Sequence, residues 1–463
     1  MANLGYHYIY RKLRELGVNA ERFFASPIPY RSVEDDTLLE RFGIIMGGVA
    51  YEGDVPVFAG WLRNGGVHPS RRERAANGAQ LVGVGGAITY INPLSLSEIA
   101  DFIVLGDALP VLPHIVEALR SNRERDKILS RLAEHGSILV PSIHMNSGGS
   151  SPLYIGKSAV SEEYGYGSFV TPRSAFGDTL LAELQRGCAR GCKYCVLPSC
   201  FSPMRQRSAA LAAEDIKRAA GRVKFSQVGL VTPEAGDYRE LDKLLDAIES
   251  LGKGVSFASL RVDRMTKRIV RSLTGGGRHS LTIAPETGND ELRASCGKGF
   301  TNDEIISVLA MAKDEGVASA KLYFMIGLPG EDEGDVLSIA DLCGMIRRET
   351  GLRVAAAVSP FVPKPGTAWS ESEWAGERAL RDKYSLLKSS REERGVTFQY
   401  NSVNDASSEY LLSWASQSVS KMIAEGVPLK NIKNIPRDAG RNETISELRR
   451  LGFDAVASAA SIE

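Results

Sequence analysis

The sequence predicts an α/β protein made of two parallel-sheet units followed by a helical C-terminal region. Three observations carry the prediction: continuous apolar strands running into glycine, amphipathic helices between them, and the loss of strand signals after Trp374. A chain of 463 residues also exceeds what one ordinary core organises, so more than one domain is expected.

The first element, Leu4–Leu16, reads as a helix with Asn3 as its N-cap and Gly17 at its stop. Ile44–Ala50 is an apolar strand, and Asp54–Asn64 a helix ending at Gly65-Gly66. Leu81–Val84 and Phe102–Leu105 are further buried strands, each running into glycine. Together they predict a Rossmann-like open parallel sheet over residues 1–145. Such a unit ordinarily opens with a strand that carries its first ligand loop. Here a helix comes first, so that strand is missing or replaced. Residues 146–177, rich in Ser, Gly, Tyr and Pro, read as a linker.

From Asp178 the pattern becomes regular. The strand candidates are Thr179–Leu184, Gln227–Val231, Val255–Leu260, Ser280–Ala284, Ala320–Met325 and Val354–Val358. Helical stretches between them include Leu241–Leu251, Thr301–Glu315 and Asp335–Arg348, and Thr301-Asn-Asp-Glu304 has capping-box spacing. Six strand–helix repeats over residues 178–372 predict a partial (β/α)6 TIM-type barrel. Residues 373–463 read as helical, with amphipathic stretches at Ala379–Arg394 and Ser407–Glu425.

Composition narrows the function. Lys+Arg and Asp+Glu both total 56, and the short Arg-rich stretch Ser70–Arg74 reads as a solvated helix start, so no basic stripe argues for nucleic acid. No apolar run approaches the ~20 residues of a membrane helix, and Met1-Ala-Asn-Leu-Gly5 has no signal-peptide pattern. Of six cysteines, three fall between positions 188 and 195, which suits a metal site in a reducing cytoplasm.

That segment reads Leu184-Gln-Arg-Gly-Cys188-Ala-Arg-Gly-Cys192-Lys-Tyr-Cys195, directly after the first barrel strand, where parallel barrels place their chemistry. Gly187 and Gly191 let the backbone turn tightly enough for the three sulfurs of Cys188, Cys192 and Cys195 to converge. Thiolates ordinarily hold iron–sulfur clusters in fours, and a cube with three protein ligands leaves one iron open. A structural zinc site would want a second ligand pair at finger spacing, and none follows. Three chance cysteines in a buried turn sit poorly beside Arg186, Arg190 and Lys193.

Cys-x3-Cys-x2-Cys with Tyr194 before the last cysteine resembles the signature of the radical S-adenosylmethionine (SAM) superfamily. The resemblance runs from Leu181 to about Trp369 and includes Ala258-Ser-Leu-Arg-Val-Asp263, Leu281-Thr-Ile-Ala-Pro-Glu-Thr-Gly288, Lys321-Leu-Tyr-Phe-Met-Ile-Gly-Leu-Pro-Gly330 and Ser359-Pro-Phe-Val-Pro-Lys-Pro365. These strand-end motifs look like a branch with a cobalamin-binding-like domain ahead of the barrel. The resemblance implies a [4Fe–4S] cluster whose open iron chelates SAM. Reductive cleavage of SAM would then give a 5′-deoxyadenosyl radical that takes hydrogen from a substrate, a small molecule or another still to be identified. A reductant such as flavodoxin or ferredoxin would supply the electron. Methyl transfer through cobalamin competes with simple hydrogen abstraction. The rival class is a non-catalytic iron–sulfur or electron-transfer protein on the same cysteines.

The resemblance also nominates cofactor-binding residues. Superfamily members place a Gly-Gly-Glu-like turn after the second strand to hold the SAM ammonium. Here Thr232-Pro-Glu-Ala-Gly-Asp237 offers Glu234 or Asp237 without the two glycines, and acids at a helix start are the plainer reading. Arg261 pairs with the SAM carboxylate or bridges to Asp263 or Glu286. Glu286 and Gly288 match a Glu-x-Gly turn near the cofactor, and Gly327 opens the Gly-Leu-Pro-Gly turn that lies against adenine in relatives. For cobalamin, no Asp-x-His-x-x-Gly string is present, so a histidine ligand is not expected. Gly85-Gly86 and Gly106 leave binding without histidine open.

Overall fold

The computed structural model describes residues 3–24, 30–145, 153–158, 165–167, 169–390, 395–432 and 437–453. The opening helix spans Leu4–Glu15; the Asn3 side chain accepts from the Tyr6 amide at 3.1 Å, and Gly17 follows at φ 71°. The first sheet contains β1 (Ile44–Gly48), β2 (Leu81–Gly85), β3 (Phe102–Val104) and β4 (Ile138–Leu139), hydrogen-bonded in that order. β1 to β3 are parallel, and β4 adds antiparallel to β3, an edge strand absent from the sequence expectation. Val82, Val84 and Ile103 face one apolar cluster while Leu81, Phe102 and Val104 face another. Burial on both faces is why these strands read as continuous apolar runs.

The described residues of the connecting segment form two isolated bridges. Gly156 bridges to Gly106 at the end of β3, and Tyr166 bridges to Ala182 of the next sheet. Ser147–Pro152 lies outside the described residues.

The barrel region begins with β5 (Thr179–Glu183), followed by the short β6 (Gln185–Arg186) and β7 (Arg205–Gln206), which pair antiparallel. β8 (Gln227–Val231) and β9 (Gly254–Phe257) complete a parallel sheet in the order β5-β8-β9. β10 (Ser280–Glu286), β11 (Ser319–Ile326) and β12 (Arg353–Pro360) form a second, extended by β13 (Val396–Tyr400). Among the described residues β9 and β10 share no ladder. Phe257, Leu260 and Met265 span that seam by packing against the cores of both sheets. The helices between strands start where their caps dictate: Thr301 and Glu304 form a capping box for Asn302–Asp314, and Asp332 with Asp335 another for Glu333–Thr350.

The C-terminal region departs from an all-helical expectation by supplying β13, which pairs parallel with β12. Its helix Gly376–Ser389 ends before Arg394, and residues 391–394 lie outside the described set. The single stretch expected over Ser407–Glu425 is two helices, Val403–Ser413 and Gln417–Glu425. The break between them is held by buried Asn92, whose Nδ2 donates to the Ser413 and Ala415 carbonyls at 3.1 and 2.9 Å. Leu412, Val419, Ile423 and Leu448 pack beside Val82, Val84 and Leu94, so the last helices finish the core of the first sheet.

Candidate functional site

The cysteine loop is framed by the β6–β7 hairpin and pinned from four directions. Gly187 has φ 81°, and a Cβ there would lie 2.4 Å from the Phe201 carbonyl oxygen, so only glycine fits. The Lys193 amide donates to the Cys296 carbonyl and the Trp369 amide to the Lys193 carbonyl, each at 3.0 Å. Gly297 backs directly onto Gly191, where a Cβ would meet the carbonyl oxygen at 2.4 Å. Arg190 grips Asp237 through Nε–Oδ2 at 2.8 Å and Nη2–Oδ1 at 2.5 Å, tying the loop to the end of β8. Tyr194 donates its hydroxyl to Glu286 Oε1 at 2.7 Å, tying it to the end of β10.

Cys188, Cys192 and Cys195 are partly exposed on this loop, whereas Cys200, Cys296 and Cys343 are buried. The three stand within electrostatic reach of one another. Burial pushes the Cys195 thiol up to about 11 and raises that of Cys188. Thiols so placed are neutral unless a cation deprotonates them, which coordination does outright. Three partly exposed thiols on one loop are the donor type that holds iron–sulfur clusters.

The neighbouring carboxylates divide by partner. Asp237 is taken by Arg190 and also faces Arg264 Nε at 3.1 Å. Glu234, 1% exposed, accepts from the Gly236 amide at Oε1, while its Oε2 is buried with no hydrogen-bond partner. Burial raises its pKa to about 7. A buried acceptor left unmet is costly, and its natural complement is an ammonium donor. Glu234 is thereby the carboxylate with an acceptor left open, and Asp237 is a fastening for the loop.

The other nominated residues are engaged with protein. Arg261 donates from Nε to Asp263 Oδ1 at 2.9 Å, and its Nη1 lies 3.9 Å from Cys192 Sγ. It stands on the rim of the cysteine loop but bridges to Asp263. Glu286, in a left-handed turn at φ 69°, is paired with Lys298 as well as Tyr194. Gly288 is demanded by helix packing: a Cβ would sit 2.0 Å from the Ser338 carbonyl oxygen. Gly327, at φ 79°, donates its amide to Glu331 Oε2 at 2.7 Å, and a Cβ would meet Leu380 at 2.8 Å.

Sequence reasoning missed Lys298 and Arg293. Lys298 Nζ donates to the Ala284 carbonyl at 2.7 Å, and Arg293, fully buried, donates to the Pro285 and Thr287 carbonyls at 3.1 and 2.7 Å. They hold the strained Glu286 turn in place. The nearest signal was the Cys296-Gly-Lys298 turn, beside one of the cysteines remote from the motif. Lys364, in the proline-rich motif after β12, is partly buried between Glu52 at 2.9 Å and Glu409 at 2.7 Å.

At the first sheet the turns that could receive cobalamin are packed against their own chain. Ligands of open α/β sheets bind outside the carboxyl ends of the strands. Here a Cβ on Gly86 would lie 2.2 Å from the Val49 carbonyl oxygen, so the loops after β1 and β2 touch backbone to backbone. Gly106 is covered by Gly156. Asp107 accepts from the Tyr90 hydroxyl at 2.7 Å and from the Ser158 amide and hydroxyl at 2.8 and 2.9 Å.

Comparison with known proteins accords with this geometry. The family model described as radical SAM superfamily matches residues 182–343, and that for radical SAM proteins, N-terminal, matches residues 5–141. An uncharacterized protein of Methanocaldococcus jannaschii is 29% identical over 253 residues, 54% of this chain and 55% of that one. A tRNA-2-methylthio-N(6)-dimethylallyladenosine synthase of Janthinobacterium sp. is 22% identical over 210 residues, 42% of this chain and 46% of that one. The chain thus spans about half the length of these curated relatives. Among solved structures, the cobalamin-dependent SAM radical enzyme OxsB, with aqua-cobalamin and SAM bound, superposes with a TM-score of 0.56 at 15% identity, covering 95% of this chain and 60% of that one. That likeness is one of fold. With both family models matched and three thiols presented on the loop that follows the first barrel strand, the chain belongs to the radical SAM superfamily.

Proposed function

We propose that this chain is a radical SAM enzyme that binds a [4Fe–4S] cluster through Cys188, Cys192 and Cys195 and the ammonium of SAM through Glu234. The observation that carries the reading is the buried, partnerless Glu234 Oε2, one β-strand end away from the thiol loop. When bound, the cluster supplies one electron for the reductive cleavage of SAM. The protein's own groups do the rest. Glu234 orients the amino end of SAM by a charge-assisted hydrogen bond. Arg190–Asp237 and Tyr194–Glu286–Lys298 hold the loop against the barrel and would keep a cluster held by its three thiols in a fixed position. Arg261 presents a cation 3.9 Å from Cys192 Sγ, on the rim of the thiol loop. Glu286, Gly288 and Gly327 act as positioning residues through the turns they shape.

We assign residues 1–145 to a sheet domain that caps the barrel, 146–177 to a connection, 178–372 to the catalytic barrel and 373–463 to the C-terminal region. The substrate is a small molecule or other group still to be identified, and the reaction is hydrogen abstraction driven by an external reductant such as flavodoxin or ferredoxin. Among the described residues no helix is long and apolar enough to cross a membrane.

The test is anaerobic reconstitution with iron and sulfide, followed by reduction in the presence of SAM. Broad brown visible absorbance and release of 5′-deoxyadenosine are expected. A cluster with no cleavage of SAM would instead identify an electron-transfer protein, and zinc without iron would sink both.

A further inference from the structure

We propose that Arg205 and Lys157 form a binding site for an anionic group of the substrate, a carboxylate or a phosphate. Only the word substrate rests on the enzyme reading above; the site itself rests on the following geometry.

Arg205 and Arg186 stand directly opposite on β7 and β6, a like-charge pair that destabilises a ladder unless each is answered. Arg186 is answered. It holds Glu183 through Nε at 2.7 Å and Nη2 at 3.0 Å, and donates from Nη1 to the Ser158 hydroxyl at 2.9 Å. Arg205 is not. Its nearest carboxylate oxygen, Asp107 Oδ2, is 3.9 Å away and already accepts from the Ser158 amide and hydroxyl. The Nε and Nη2 atoms of Arg205 are buried, and neither has a hydrogen-bond partner. Adjacent guanidinium N–H groups form a fork whose geometry matches a carboxylate or phosphate bidentately. Guanidinium N–H groups buried without acceptors are costly, and an incoming anion removes that cost.

Lys157 provides the second cation. Its ammonium donates only to the Ser202 carbonyl among the described residues, and its side chain is exposed, which puts a solvent path at the site. Arg205 and Cys200 both act on it electrostatically, and Cys200 in turn lies within reach of Cys195. An anion on this pair is therefore anchored beside the cysteine loop, at the junction of barrel and first sheet. Glu52 and Lys364 are within reach of Cys200 too but satisfy one another.

The probe is inorganic phosphate, titrated into the full chain with and without the reconstituted cluster, and the readout is melting temperature. Wild type should show a saturable rise that Arg205→Gln abolishes, Arg205→Lys weakens and Arg271→Gln, at an exposed surface pair, leaves intact. A non-saturating rise shared by wild type and Arg205→Gln is general salt stabilisation and overturns the site. Without phosphate, Arg205→Met should shift the melting temperature upward, because it removes buried N–H groups that lack acceptors; a downward shift would mean that Arg205 is structural and would also overturn it. Should Arg205→Gln not fold, Lys157→Ala, at an exposed side chain, decides: severalfold weaker phosphate binding supports the site and unchanged binding rejects it. If phosphate competes with SAM, the occupant is the SAM carboxylate and the substrate assignment fails; simultaneous binding supports it. Loss of this response with the cluster intact sinks only the anion site, and the converse sinks only the enzyme reading.

Discussion

The carboxyl ends of β1–β3 and those of β5, β8 and β10 are built alike, with parallel strands running into turns that hold acids and glycines. They differ in what is left unmet. At the first sheet, Asp107 has Tyr90, Ser158 and Arg186, and Gly86 and Gly106 are covered by backbone. At the barrel, three thiols remain partly exposed and Glu234 keeps one buried oxygen without a donor. Glycine-ended strands therefore say where a ligand could go, and unsatisfied polar groups say where the protein still wants one.

The largest effect that would break this contrast is at the thiols. Cys188→Ala should abolish the visible absorbance of the reconstituted protein, while a change at Cys343, buried in the barrel core, leaves it unchanged. Next comes the closed crevice. After incubation with hydroxocobalamin and desalting, the protein should retain no stoichiometric corrin; retention would reverse the comparison. Gly86→Ala should destabilise by about 1–3 kcal/mol through overpacking against Val49, measured by urea denaturation.

Glu234→Gln sharpens the open side. Loss of one charge-assisted bond should weaken SAM binding by about 1.5–3 kcal/mol, roughly ten- to a hundredfold. The pH dependence follows from burial raising this carboxyl to about 7. Only the carboxylate grips an ammonium, so SAM affinity in wild type should strengthen as pH rises through about 7 and stay flat in Glu234→Gln. The SAM-free protein should show the opposite trend. A carboxyl raised above its ordinary value stabilises fully below about 4.5, and that contribution fades as pH rises through about 7. The smallest effect is Asn92→Ala, which leaves the Ser413 and Ala415 carbonyls without their donor and should cost about 2 kcal/mol, again by urea denaturation.

The six barrel strands were legible because burial writes them as apolar runs, and the three cysteines because spacing and strand position coincide. β4 and β13 were not. β4 is only two residues, and β13 alternates intermediate and exposed positions within a region dominated by amphipathic helices. The choice between Glu234 and Asp237 was illegible for another reason: it depends on Arg190 reaching across from the cysteine loop, a tertiary event with no local signal. The same holds for Glu286, whose partner Lys298 arrives from the next turn.

The packing of Leu412, Val419, Ile423 and Leu448 into the first sheet has a consequence for how the molecule is made. A ribosome releases that sheet long before the helices that complete it, so Val82, Val84 and Leu94 stay uncovered while the entire barrel is synthesised. Contacts of such sequence separation form late and slowly, and the waiting apolar surface invites aggregation. Chains interrupted after β13 should therefore collect as insoluble material even though every strand of the barrel has been translated.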